Sequence, residues 1–95
     1  MITLKEACQK ILAAHPNEYI WVVNEYEKAY QFDLLNDGET VGPYTFICKT
    51  PGVMKEDGRL DDSLTVMDPI FEGEHKHYSH DYIENLLREP NSSRA

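Results

Sequence analysis

The sequence lacks a long apolar run, and none of its hydrophobic stretches approaches the roughly 20 residues that a membrane-spanning helix requires. The segment Met1 to Lys10 is amphipathic, whereas an export signal would place a charged segment before an apolar one. Cysteine is scarce: Cys8 lies in a helical pattern and Cys48 in a strand pattern, too few for the disulfide framework of a secreted mini-domain. We therefore expect a cytoplasmic protein with two free, buried thiols and no membrane association, and a disulfide is the minor alternative.

Basic residues are also in short supply, with 9 Lys and Arg against 17 Asp and Glu. Most of the acidic excess falls in residues 56–81, which carry eight acids and two bases. A surface of this charge repels phosphate backbones and anionic membranes, and it speeds the approach of a basic partner. We expect no nucleic-acid binding. An acidic surface that only keeps the protein soluble is the alternative interpretation.

A chain of 95 residues has too few apolar side chains for two separate cores, so a single domain is expected over residues 1–90. The apolar fraction of 41% is sufficient for one core. Residues 91–95 have no apolar anchor, and we expect them to form a flexible tail.

Two helices are predicted, one near each end of the chain. Thr3 and Glu6 form a capping-box pattern, and an apolar stripe at helical spacing then runs to Ala14 before Pro16, which predicts a helix over Leu4 to Ala14. Ser79 can cap a final helix that stops at Glu89-Pro90. The apolar face of that helix would consist of Tyr82, Ile83, Leu86 and Leu87.

Strands are predicted between the helices. Residues Tyr19 to Tyr26 and Ala29 to Leu35 are rich in aromatic and β-branched side chains, and Glu27-Lys28 would join them as an antiparallel hairpin. Further candidates are Tyr44 to Lys49, a second hairpin around Val53-Met54 in which Asp57-Gly58 supplies the positive-φ residues of its turn, and an edge strand at Leu64 to Met67.

These elements predict an α+β fold, with a mostly antiparallel sheet of about four strands and with the N-terminal and C-terminal helices packed on one face. The side chains expected to be buried in the core are Leu4, Ile11, Trp21, Phe32, Phe46, Ile83 and Leu86.

The densest group of possible metal ligands is the histidine segment, which contains His75, His77 and His80. Their spacing matches none of the common zinc patterns, which favours solvated histidines ahead of the last helix. No pattern places a serine or cysteine beside a base, and no glycine-rich loop precedes a helix. We predict no catalytic residue, no metal site and no cofactor, and a metal-binding or enzymatic module at the three histidines is an alternative.

A resemblance to a known family rests on two runs of sequence. The run Tyr26 to Phe32 is followed, after a gap containing Asp37-Gly38, by the run Pro51 to Arg59. Together they resemble the small YrhB-like, immunity-type proteins of bacterial polymorphic toxin systems. In that family a helix leads to a strand pair with an aromatic-rich second strand, and a strand ending in a lysine-x-x-glycine turn follows. The likeness covers about residues 3 to 60.

The resemblance implies a cytoplasmic protein that has no catalytic residues and that binds and blocks a toxin domain. After Leu60 the chain departs from the family pattern, because the acidic stretch and the histidine segment replace a short ending. A prophage or housekeeping adaptor fits the composition as well.

We expect the partner to be a protein, such as a basic toxin domain, and we expect acidic residues near the predicted turn and after Leu60 to steer its approach. The predicted protein-binding residues are Glu56, Asp57, Asp61, Asp62 and Glu72.

Overall fold

A computed structural model of the chain describes residues 1–36 and 50–89, and it has the predicted α+β architecture. Within those ranges, five strands form one sheet in the order β4-β3-β2-β1-β5, and every neighbouring pair is antiparallel. The strands are β1 (Glu18–Glu25), β2 (Ala29–Asn36), β3 (Gly52–Met54), β4 (Leu60–Asp61) and β5 (Lys76–Tyr78). The helices are α1 (Leu4–Ala14) and α2 (His80–Arg88), and a short 3-10 helix spans Pro69–Phe71.

Both predicted helices are present, and their caps explain where they begin. The Thr3 hydroxyl accepts from the Glu6 amide at 3.2 Å while the Glu6 carboxylate accepts from the Thr3 amide at 2.9 Å, which confirms the capping box. The Ser79 side chain accepts from the Tyr82 amide at 3.2 Å, so α2 begins as predicted.

The main core lies between the helices and one face of the sheet. Ile11 of α1 and Ile83 of α2 pack with Val23, Phe32 and Val53 in a single buried cluster. Of the predicted core residues, Ile11, Phe32 and Ile83 are buried, and Phe46 lies outside the described residues. Leu4, Trp21 and Leu86 are only half-buried. For Trp21 the reason is its position: the β1–β2 register shifts at this residue, and its ring stacks on His80.

A second, smaller cluster lies against the opposite face of the sheet. Leu64 and Phe71, from the segment that follows β4, pack there against Ala29. Leu64 to Met67 does not form the predicted edge strand: Thr65 makes only an isolated bridge, beside which the Leu64 carbonyl accepts from the Thr50 amide at 3.2 Å. The Thr65 carbonyl accepts from the Asp68 amide at 3.1 Å, so the chain turns there and enters the 3-10 helix, leaving Val66 and Met67 exposed.

The edge position beside β1 belongs instead to β5, in the histidine segment that was expected to be a solvated loop. Its polar residues carry no strand pattern, and only pairing with Val23 to Glu25 holds them extended.

Both predicted hairpins are confirmed. In the β3–β4 turn Gly58 alone takes a positive φ, of 72°, whereas the prediction assigned that conformation to Asp57 as well. Asp57 instead accepts a hydrogen bond from the Arg59 amide at 2.9 Å. The predicted strand at Tyr44 to Lys49, the environment of Cys48 and the tail at residues 91–95 lie outside the described residues.

Candidate functional site

The β1–β2 turn and the β3–β4 turn lie at the same end of the sheet, because β1 and β3 both run towards it. The start of α1 joins them there, since the Ile2 amide donates to the Lys55 carbonyl at 3.0 Å. An open cavity of about 650 Å³ lies at this end, and we call it the turn-end cleft. It is lined by Glu25, Tyr26, Glu27, Lys55, Glu72, Gly73, Glu74, His75 and Lys76.

A second recess, of about 450 Å³, adjoins the turn-end cleft and shares Glu27 and Lys55 with it. Glu56 and Asp57 contribute to this recess from the β3–β4 turn. The two cavities together bring three strand connections to one surface.

Glu25 and Lys55 form an ion pair where the two cavities meet. Lys55 Nζ lies 2.6 Å from Glu25 Oε2, and the Tyr78 hydroxyl donates to Glu25 Oε1 at 2.6 Å. Lys55 Nζ also lies 5.1 Å from the centre of the Tyr30 ring, within the range of a cation–π contact. Each member of the ion pair therefore has a second partner in the protein: Tyr78 for Glu25 and the Tyr30 ring for Lys55.

The protonation of this cluster follows from its contacts. Partial burial acts to raise the pKa of Glu25, but the hydrogen bonds from Lys55 and Tyr78 outweigh it and leave the pKa below its usual value. Burial and the contact with the Glu25 carboxylate raise the pKa of Tyr78. At neutral pH the Glu25 carboxylate is therefore ionised and the Tyr78 phenol is protonated, and the phenol donates its hydrogen bond to the carboxylate.

An aromatic wall lines one side of the turn-end cleft. The Tyr26 ring stacks on His75, with centroids 4.9 Å apart and planes at 27°. Phe71 packs against Tyr26 at 5.4 Å and belongs to the second core cluster, so it anchors the wall to the sheet. Stacked rings at the edge of an open cavity offer contact area at a small cost in conformational entropy.

Four carboxylates around the two cavities have no partner among the described residues. Glu27, Glu56, Glu72 and Glu74 are exposed, and none of them makes a hydrogen bond or ion pair with another described residue. They form no ion pair with the cationic side chains that line the same cavities, which include Lys28, Arg59 and Lys76, so the four carboxylates remain open to solvent.

The predicted binding residues divide between the two ends of β4. Glu56, Asp57 and Glu72 lie at the turn end. Asp61 and Asp62 lie at the far end, where Asp61 accepts from the Ser63 amide at 2.9 Å and Asp62 contacts His15. The prediction did not include Glu27 and Glu74, because no local pattern distinguishes an unpaired carboxylate from a paired one.

The three histidines do not converge on one point. His75 stacks on Tyr26, whereas His77 Nδ1 lies 2.9 Å from Asn24 Oδ1, further along β1. His80 stacks on Trp21 at 5.2 Å, and its Nδ1 donates to the Ile20 carbonyl at 3.0 Å. Among the residues in the two described ranges, no group of three His, Cys, Asp or Glu side chains is placed to hold a metal ion.

The thiol of Cys8 is fully buried in the main core, and burial raises its pKa to about 12. A nucleophilic cysteine requires a thiolate and access to substrate, so this thiol is a core group.

Comparison with protein-family models, with curated proteins and with solved structures found no match. Neither helix in the described parts of the chain is long and apolar enough to cross a membrane.

Proposed function

We propose that this protein is a small non-catalytic interaction protein of the immunity type, and that it binds a basic segment of a partner protein at the turn-end cleft. The observation that carries the proposal is the set of four exposed carboxylates around two adjoining cavities, none with a partner among the described residues. Arginine and lysine side chains of a partner would supply the missing counter-charges.

The aromatic wall supports a binding role for the same surface. Rings such as Tyr26 and His75 provide an anchor of the kind that carries affinity at protein interfaces, while a charged rim around it mainly sets the association rate. A basic toxin domain is the partner that combines these features with the resemblance to immunity proteins.

The state of the titratable groups favours binding over catalysis. Glu25, Lys55 and Tyr78 are bonded to one another, and Cys8 is buried with a raised pKa. General acid–base catalysis works best with a pKa near the working pH, and a nucleophilic thiol must be ionised. The lowered pKa of Glu25 and the raised pKa values of Tyr78 and Cys8 do not meet these conditions.

The test compares two doubly substituted variants with the same change in charge. Glu72→Gln with Glu74→Gln removes two unpaired carboxylates from the cleft. Asp81→Asn with Glu89→Gln, the α2 variant, removes one exposed carboxylate from α2 and one from its C-cap residue, and neither lines the cleft. Affinity capture from cells of the source organism, analysed by quantitative mass spectrometry, should recover a basic protein with the wild type and the α2 variant and much less of it with the cleft variant.

Surface plasmon resonance on the captured protein then measures the association rate. We expect the cleft variant to associate about two- to tenfold more slowly at low ionic strength, with little change in dissociation, because rim charges act on encounter and are screened over about 8–10 Å at moderate salt. Equal capture by both variants, or an acidic captured protein, would contradict the proposal. Asp61 and Asp62 are unsuitable for this test because their carboxylates make contacts within the protein, with the Ser63 amide and with His15, that the substitutions would also remove.

A further inference from the structure

His15 occupies the corner between α1 and β1, remote from the turn-end cleft. It is the C-cap of α1, and its amide donates to the Ile11 carbonyl at 2.9 Å. Its ring lies between two carboxylates from separate parts of the chain: Nδ1 is 3.0 Å from Glu18 Oε1, and Nε2 is 2.8 Å from Asp62 Oδ1. The His15 side chain is 22% exposed, so solvent only partly competes for these contacts.

The protonation state of the ring decides whether both contacts can hold. An imidazolium has two N–H groups and can donate to both carboxylates, whereas a neutral imidazole has one N–H and one lone pair. When the proton is lost, one carboxylate therefore faces a lone pair, and that contact becomes repulsive. Asp62 is the one expected to leave, because it is 56% exposed and lies in a loop, while Glu18 is 31% exposed and held in β1.

We propose that His15 is a proton-operated clasp, which joins the α1–β1 corner to the end of β4 when it is protonated and releases Asp62 when it is neutral. The clasp is independent of the proposed function, because it requires no partner. Its effect is to loosen the start of the segment that leads from β4 to the 3-10 helix and to free a carboxylate.

The surroundings of the ring favour the protonated state. In the described parts of the chain, the charged groups that contact the ring are Glu18 from β1 and Asp62 from the loop after β4, and the last turn of α1, residues 11–14, has no titratable side chain. The carboxyl end of a helix also favours a cation, and His15 is at that end. Partial burial acts to lower the pKa of His15, but the contacts with Asp62 and Glu18 outweigh it, so the pKa is raised above its ordinary value.

The sign of the pH dependence follows from this direction. Because the pKa is higher in the folded than in the unfolded protein, the clasp stabilises fully below the unfolded value of about 6.5. That stabilisation is lost as the pH rises through the folded value.

Urea denaturation at pH 6.0 and pH 8.5 tests the clasp in the full chain. His15→Gln has no proton to lose, and comparing it with the wild type cancels the titration of the other histidines. Between the two pH values we expect the wild-type folding constant to fall about two- to tenfold further than that of His15→Gln, the range for one or two partly exposed ion pairs. Equal pH dependence in the two proteins would overturn the proposal.

Nuclear magnetic resonance gives a second readout that remains valid if His15→Gln folds poorly. The imidazole nitrogen shifts of His15 report its titration, which we expect to move to lower pH in Asp62→Asn. After correction for the intrinsic pH dependence of amide exchange, exchange at Ser63 should become faster in the wild type above the midpoint of the His15 titration. In Asp62→Asn, the corrected exchange rate should not change at that midpoint. A His15 titration unchanged by Asp62→Asn would refute the bridge between the two residues.

Discussion

Replacement of Gly52 by alanine measures how closely the segment after β4 packs on the sheet. Gly52 lies in β3, is buried, and faces the second core cluster. A Cβ added there would lie 2.8 Å from Leu64 Cδ1, 3.1 Å from Phe71 Cζ and 3.2 Å from the Tyr30 carbonyl oxygen. The backbone of Gly52 is not in the left-handed region, so the cost of the substitution is steric.

The size of that cost depends on which neighbours can move. The tip of Leu64 can rotate away, but the Tyr30 carbonyl belongs to the β2 backbone and the Phe71 ring is buried against Tyr26. An added methyl group in such a site costs about 1–3 kcal/mol of unfolding free energy. For a domain of this size, each kcal/mol corresponds to a Tm lower by about 4–8 °C.

Urea denaturation followed by the fluorescence of Trp21, the single tryptophan, provides the measurement. Leu64→Ala alone should cost about 2–3 kcal/mol, near the lower end for a core leucine, because its cluster is small. In the double variant the smaller side chain removes the closest contact, so the combined loss should be at least about 0.5 kcal/mol less than the sum.

Gly73→Ala is the matched control, since a Cβ there would meet nothing within 4 Å and the cost comes only from the positive φ of 84°. Its effect, of about 1–2 kcal/mol, should not depend on Leu64. A Gly52→Ala protein within about 0.5 kcal/mol of the wild type, or strict additivity with Leu64→Ala, would refute the packing argument.

Two further predictions concern the main core. Ile83→Ala should lower the free energy of unfolding by about 2–5 kcal/mol, because Ile83 is 1% exposed. Leu86→Ala should lower it by less than about 2 kcal/mol, because Leu86 is half-buried. The opposite order in urea titrations would show that α2 buries a different face. In a Cys48→Ser background, Cys8 should react with Ellman's reagent at pH 8 only as fast as the protein unfolds. The reason is that the side chain is buried and that a pKa of about 12 leaves roughly one thiol in ten thousand ionised at that pH. Full labelling of the native protein within minutes would contradict the burial of Cys8.

The elements predicted correctly are those whose signals are short in sequence. The capping box joins Thr3 to Glu6, the Ser79 cap reaches Tyr82, and the Gly58 turn closes within the β3–β4 hairpin. Each interaction spans only a few residues, so residue type and spacing are sufficient to specify it. The β1–β2 hairpin is local in the same sense, because both strands are rich in aromatic and β-branched residues and only a short polar break separates them.

The errors occur where a segment takes its conformation from a distant one. Leu64 to Met67 has strand-forming residues, but Leu64 and Phe71 fill the second face of the sheet and the chain turns between them. Lys76–Tyr78 has no strand pattern and is extended only because it pairs with β1. Pairing and packing of this kind override the local preference.

The candidate site depends on the tertiary structure even more strongly. Composition alone predicted an acidic surface, since 17 acidic residues against 9 basic ones require it. Which carboxylates remain unpaired was decided by contacts across the fold: Asp62 is bound by His15, 47 residues away, and Glu25 by Tyr78, 53 residues away. An ion pair needs two side chains within about 4 Å, and for residues so far apart in sequence only the folded chain sets that distance.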